Sequence, residues 1–380
     1  MPAEGWLHLY VFNRSRVLLV ALALVTASGF SAACGTGGTG GTGGTGGTGT
    51  AAAVPAGPTT VTITLVTHDA FAVTESLLSE FAERTGITIK IAATGDAGDV
   101  VNRAALTAGN PEGDVLFGVD NTLLSRAVQA GVFEPYESPA ASGESPALKI
   151  GTGGVVTPID YGDVCVNLDD EWFAAHNLPE PTSLAELANP RYKGLLVVEN
   201  PATSSPGLAF LLATVARFGA AGYQDYWRSL RANDVLVEND WTSAYEGQFT
   251  SGGKGSRPMV VSYASSPPAE IVYAAAPKPL KPSTSVLTDG CFRQVEYAGV
   301  LAGTKNQAAA RTVVDWLLSP QFQADVPLSM FVFPAIVSTP LPDVFVRFAA
   351  KPTRPLTMDP AVVDHNRSAW IDAWDQVTLR

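Results

Sequence analysis

From Val61 onward, apolar residues fall into short runs separated by stretches of helical period. Residues 61–67 (VTITLVT) read as a strand. Leu77, Leu78, Phe81 and Ala82 then share one helical face, which ends at Gly86. Residues 87–94 (ITIKIAAT) predict a second strand, and Val100, Val101, Ala104 and Leu106 a second helix. Residues 114–119 predict a third strand, and 122–130 a third helix closed by Gly131. Strand and helix alternating at this spacing predict a parallel, doubly wound α/β sheet. The strand runs are apolar throughout, as expected for strands covered on both faces. A second unit starts near Ile159. Its predicted strands are 164–168, 195–199, 235–238, 259–262 and 291–300, with helices at 208–218, 307–318 and 360–377.

Ahead of Val61 the pattern changes. Residues 17–25 (VLLVALALV) are unbroken and apolar, behind Arg14 and Arg16 and ahead of Ser31-Ala32-Ala33-Cys34. A charged segment, a short apolar run and a small-residue cut site make an export signal over 1–33, and the run is too short to span a bilayer. Cys34 at the cut site predicts a lipid-bearing first residue of the mature chain. Ser31 stands where the usual lipobox has leucine, and the alternative is an ordinary cleaved signal. Residues 34–59 are Gly/Thr-rich with no apolar period. They predict a flexible tether, whose stretch from Gly35 to Pro58 has an r.m.s. reach of about 25–30 Å. G-x-G-x-x-G matches inside the tract follow no strand and open no helix, so they carry no dinucleotide reading.

Charge narrows the class of partner. With 24 basic and 36 acidic residues the net charge is −12. Nucleic-acid binding needs the opposite balance, whereas a cationic small molecule is compatible with it. Of the three cysteines, Cys165 and Cys291 remain as a pair if Cys34 carries lipid. They form a disulfide in an oxidising compartment or persist as two buried thiols; their spacing excludes a C-x-x-C motif. Past the signal the histidines are His68, His176 and His365. No G-x-S-x-G elbow, P-loop, H-E-x-x-H or Cys/His cluster accompanies them. The chain therefore reads as a binder and not an enzyme, with no cofactor and no metal.

Three predicted strand ends carry an aspartate: Asp69 after His68, Asp96 after Gly95, and Asp120 before Asn121. Ligands of such sheets sit beyond the carboxyl ends of the strands. Each aspartate also suits a helix N-cap, and the three together suit an acidic crevice. The loop 200–207 brings Thr203, Ser204 and Ser205 to a helix start, where hydroxyls and free N–H groups either hold an anion or cap the helix. Asp240 precedes Trp241 and Tyr245, which are four residues apart on one helical face, and Phe249 extends the stripe. Tyr263 sits at a strand end. Aromatics beside carboxylates suit a flat cation, through stacking and cation–π attraction of about 0.5–2 kcal/mol each. Core packing accounts for these aromatics equally well.

The order of segments carries a resemblance. The pieces are Thr67-His68-Asp69-Ala70-Phe71, residues 117–124 (FGVDNTLL), Pro158-Ile159-Asp160-Tyr161-Gly162, residues 200–207, Trp241-Thr242-Ser243-Ala244-Tyr245, Ser262-Tyr263, Gln294-Val295-Glu296 and Ala369-Trp370. In this colinear order residues 61–376 resemble the bacterial thiamine-binding proteins of ABC import systems, within the ferric-ion/polyamine-type periplasmic binding superfamily. The resemblance implies a type II binding-protein fold, with two α/β lobes, a strand hinge and a central cleft. Lobe one would take 60–158 and 296–340, and lobe two 159–295 and 341–380. Cys165 and Cys291 would meet on paired hinge strands. Carried over, His68, Asp69, Asp120, Asp160 and Tyr161 would line the cleft, with the aspartates facing a cation. Trp241, Tyr245, Tyr263 and Phe331 would supply aromatic faces. Thr203, Ser204 and Ser205 would meet a polar or phosphorylated end. Better-known members have Tyr in place of His68 and Trp in place of Phe331. The implied protein is a lipid-anchored, extracytoplasmic monomer that delivers thiamine or its phosphates to a permease. Rivals are a polyamine or ferric-ion receptor on the same fold, and an extracytoplasmic hydrolase.

Overall fold

The computed structural model describes residues 60–149, 153–253 and 255–380. The predicted signal, Cys34 and the Gly/Thr tract lie outside the described residues. The strands are β1 Val61–Thr67, β2 Ile87–Ala93, β3 Val115–Asp120, β4 Thr157–Asp169, β5 Leu196–Glu199, β6 Leu236–Glu238, β7 Met259–Tyr263, β8 Thr284–Val300 and β9 Phe333–Pro334. Six described helices have ten or more residues: α1 Glu75–Thr85, α2 Ala97–Leu106, α3 Ser205–Ala232, α4 Gln307–Leu317, α5 Pro320–Ser329 and α6 Pro360–Thr378. The strands form one mixed sheet in the order β2-β1-β3-β8-β4-β7-β5-β6, with β9 on β4.

The first three strands are parallel, as the alternating pattern predicts. Val115 and Phe117 pack into one apolar cluster while Leu116 and Val119 pack into another. The sheet is therefore covered on both faces, which is why β3 shows no polar alternation. The parallel expectation stops at β3. β8 runs antiparallel to both β3 and β4, and β7 antiparallel to β4. β4 and β8 are long because each crosses from the β1–β3 half of the sheet to the β5–β7 half. β8 pairs β3 through residues 296–300 and β4 through most of its length. Two expected elements grow accordingly: the 164–168 strand extends to Thr157–Asp169, and the 291–300 strand begins at Thr284. The expected 208–218 helix belongs to α3, which has a break at Gly219 (φ 74°).

Cys165 on β4 and Cys291 on β8 form a disulfide, with Cα atoms 4.4 Å apart and a sequence separation of 126. The bridge is buried beside Ala264, Val286 and Ala350. A cross-link closing so long a loop restricts the unfolded chain strongly. Its reduction is expected to lower unfolding free energy by about 2–4 kcal/mol. Alkylation and intact-mass analysis checks the pairing: neither thiol should react before reduction, and labelling of both without reductant would contradict it.

Candidate functional site

The site is built on the C-terminal ends of β1 and β3 and on the crossing segments of β4 and β8. Glu296 on β8 lies directly between Asp120 on β3 and Asp160 on β4. Directly paired residues project from the same face of a sheet. Three carboxyl groups therefore stand abreast across three strands, with Asp120 and Asp160 at 0 % exposure. Like charges at this spacing and burial cannot all ionise. His68, at the end of β1, places Nε2 3.2 Å from Glu296 Oε1, an ion-pair approach too poorly aligned for a good hydrogen bond. Burial alone would lower the His68 pKa, but the carboxylates of Glu296, Asp96 and Asp69 raise it. Burial likewise pushes Glu296 up, and the His68 cation brings it below the usual range.

Neither oxygen of Asp160 finds a hydrogen-bond donor. Its neighbour Glu296 is itself an acceptor, so the pair is satisfied only when Asp160 keeps a proton and donates it to Glu296. Burial, then the charge of Glu296, drives the Asp160 pKa well above normal. These shifts favour a His68–Glu296 ion pair beside an uncharged Asp160.

Asp120 is held differently. Its Oδ1 accepts from the Thr122 N–H at 2.8 Å, the Thr122 hydroxyl at 2.6 Å and the Leu123 N–H at 3.1 Å. Its Oδ2 accepts from Gln294 Nε2 at 2.7 Å. Burial still pushes its carboxyl up to about 6. The same Gln294 amide, 1 % exposed, donates to Ser205 Oγ at 2.7 Å and accepts from the Tyr263 hydroxyl at 3.1 Å. Gln294 thus ties a β3 carboxylate, the first residue of α3 and an aromatic of β7 to one point on β8. Gln294→Leu would leave Asp120 Oδ2 and the Tyr263 hydroxyl without these partners. It is expected to lower stability by about 2 kcal/mol or more; an unchanged urea midpoint would contradict the tie.

The aromatic groups lie alongside. Trp241 and Tyr245 stack with ring centroids 4.9 Å apart and planes at 15°. The Trp241 indole donates to Ser262 Oγ at 3.0 Å, which fixes it next to the residue preceding Tyr263. Asp240 caps this turn through Ser243 N–H at 2.7 Å, as the sequence suggests. The turn continues as a π-helix over Ser243–Gln248. Tyr263 is half-buried, and its ring lies where a β-carbon on Gly162 would sit, 2.6 Å from Cδ1. A side chain at Gly162 would displace the ring.

Other predicted residues divide. Asp69 is half-buried, with its N–H on the Gly95 carbonyl at 2.9 Å. Thr203 donates to the Asn239 carbonyl at 2.6 Å, and Ser204 caps α3 through Gly207 N–H at 3.4 Å. The capping alternative therefore describes Ser204. Ser205 Oγ accepts from Gln294, and its hydroxyl hydrogen-bonds the Asp120 carboxylate. Tyr161 is not brought to the acidic row: side chains alternate along β4, and it points to the opposite face. There it stacks on Phe333 at 5.3 Å and lies under the Arg293 guanidinium, which pairs with Asp163. Phe331 packs on Tyr273 at 5.5 Å and has φ +56°, a strained conformation for a non-glycine residue.

Sequence reasoning left four groups of the site unassigned: Glu296 and Gln294, which it carried only in a matching segment, and Asp96 and Glu199. Asp96 was noted only as a strand-end acid, yet it contacts both halves of the sheet. Glu199, at the end of β5, is 1 % exposed with both carboxyl oxygens lacking donors. Burial, then Asp96, drives its pKa well above normal. Its signal in the sequence is an acid ending an otherwise apolar strand. Among the described residues, no three His, Cys, Asp or Glu side chains are arranged to hold a metal ion.

Residues 110–351 match the family model described as bacterial extracellular solute-binding protein. The chain belongs to this family. It is a solute-binding protein of the mixed α/β periplasmic type. It is 30 % identical over 332 residues to the thiamine-binding periplasmic protein of Salmonella typhimurium, covering 84 % of this chain and 94 % of that protein. It is also 30 % identical over 328 residues to the protein of the same description from Brucella suis, covering 84 % and 92 %. Among solved structures, a periplasmic thiamin binding protein superposes with a TM-score of 0.74 at 27 % identity, covering 84 % of this chain and 96 % of that one. An iron-bound binding protein from Pseudomonas aeruginosa shares the fold at 20 % identity, with a TM-score of 0.67.

Proposed function

We propose that this solute-binding protein captures thiamine outside the cytoplasm and delivers it to the permease of an ABC importer. The observation that carries this reading is the pairing of an acidic row, Asp120–Glu296–Asp160, with the Trp241–Tyr245 stack at a single site. A flat aromatic cation uses both halves of that combination: π-faces for its rings and carboxylates for its charge. The relatives described as thiamine-binding support the choice of cation. Ferric ion fits the site less well, since the arrangement of acids offers no set of three metal ligands. The 203–205 loop at the start of α3 would lie toward the ligand's hydroxyl or phosphate end.

In this reading β4 and β8 are the hinge between two lobes, with lobe one at 60–158 and 296–340 and lobe two at 159–295 and 341–380. Closure on the ligand is a hinge motion. The protein acts as a monomer, tethered through a lipid on Cys34 and the Gly/Thr tract. Titration of the purified protein with thiamine, thiamine phosphate, spermidine and Fe³⁺, followed by tryptophan fluorescence, tests the ligand. Saturable binding of thiamine with no competition from spermidine is expected. Binding of spermidine or iron in preference to thiamine would overturn the reading.

A further inference from the structure

Asp96 stands at the start of α2, in the β1–β3 half of the sheet, and its carboxylate serves three N–H groups. Oδ1 accepts from Ala97 at 2.6 Å, which caps its own helix. Oδ1 also accepts from the Ser205 N–H at 3.2 Å, and Oδ2 from the Trp241 N–H at 3.4 Å. Those last two residues lie 109 and 145 positions away, in the half built on β5–β7. One buried side chain therefore grips both the first turn of α3 and the backbone of the aromatic platform. Sterics point to the same contact independently. Gly98, on the first turn of α2, faces the Thr203 backbone: a β-carbon there would overlap the Thr203 carbonyl oxygen and come 2.8 Å from its carbon. Only a residue without a side chain lets α2 approach the 203–205 loop closely enough for Asp96 to reach Ser205 and Trp241.

We propose that Asp96 is a positioning residue which, through the close approach that Gly98 permits, clasps Trp241 and Ser205 to the opposite half and holds the site shut. The proposal rests on the two-lobe reading above and adds residues that touch the protein and not the ligand. A carboxylate suits the task because its partners, the three N–H groups and the Ser204 hydroxyl, are all donors. Asparagine would turn an amide N–H toward one of them.

Gly98→Ala separates a clasp from simple packing. Alanine is the better helix former, and its clash is relieved when the halves part. The variant is therefore expected to keep or raise the melting temperature of the ligand-free protein. Thiamine should bind at least fivefold more weakly, through faster dissociation. Small-angle scattering of the full-length ligand-free variant should give a larger radius of gyration than wild type. Asp96→Asn should weaken binding in the same direction. The double variant should be no more than about threefold worse than the weaker-binding single variant, because both changes break one contact. Unchanged affinity in Gly98→Ala, or a loss of affinity matched by a fall in melting temperature, overturns the clasp. If wild type fails to bind thiamine, the ligand reading fails, and the scattering comparison still decides the clasp: an unexpanded variant overturns it.

Discussion

Trp241→Ala is expected to weaken thiamine binding by well over tenfold and to abolish most of the ligand-dependent fluorescence change. The indole is half-exposed, stacked on Tyr245 and fixed at its edge by Ser262. A ring held on one face and at its edge by the protein offers its other face to a ligand without needing to be ordered on binding. Removing it deletes about 0.5–1.5 kcal/mol of aromatic stacking and a cation–π term of similar size. The lost apolar contact adds to both, and every 1.4 kcal/mol is tenfold in affinity. Folding should suffer less than binding, because Phe249 and Ala244, which anchor the same turn in the core, remain. Trp241→Phe should recover part of the affinity. Wild-type affinity in the alanine variant would show that this stack is core packing and that the platform lies elsewhere.

Affinity is expected to fall at least tenfold between pH 7.5 and pH 5. Burial pushes the carboxyl groups of Asp96 and Asp120 up to about 6 in the ligand-free protein. In an unfolded chain such groups lose their protons near pH 4. The folded state thus holds more protons between these values. Their contribution to stability is fully present below about pH 4 and is lost as the pH rises through 6. A bound cation has the opposite preference, since it favours the ionised carboxylates. The complex therefore releases protons, and affinity rises with pH up to about 7 and then levels. Each proton released contributes about one decade of affinity per pH unit below the carboxyl pKa. His68 acts in the same direction, because its charge opposes a ligand cation while it remains protonated beside Glu296. Calorimetry in two buffers of different ionisation enthalpy should report proton release near pH 6, and the melting temperature of the ligand-free protein should not fall on acidification from pH 7 to 5. A pH-independent dissociation constant would contradict this electrostatic account.

The strand–helix order of the first half was legible because β3 is buried on both faces, β1 and β2 carry β-branched apolar runs, and the helices between them have an apolar stripe. The cysteine pair was legible as a possibility, and the resemblance placed it on the hinge strands. The long crossing strands were only partly legible. Asp160, Gly162 and Asp163 interrupt β4, and Asp289-Gly290 interrupts β8, so each reads as a turn. Asp160 belongs to the acidic row, whereas Asp163 is paired with Arg293 and Asp289 accepts from the Leu184 N–H. Strand-end acids were visible too, but a cap and a ligand group use the same residue. Asp96 shows that one side chain can be a cap and also join two distant segments. Gln294 gave no local signal: its role exists only because β3, α3 and β7 converge on it. Tyr161 lies on the face of β4 opposite the acidic row, a distinction that the matching segment alone does not carry.

The most direct test is a crystal structure of the protein grown with thiamine. The account predicts the ligand's rings against Trp241 and Tyr263, with its cationic nitrogen facing the row formed by Asp120, Glu296 and Asp160. Thiamine bound away from that row, or a metal ion in its place, would contradict it.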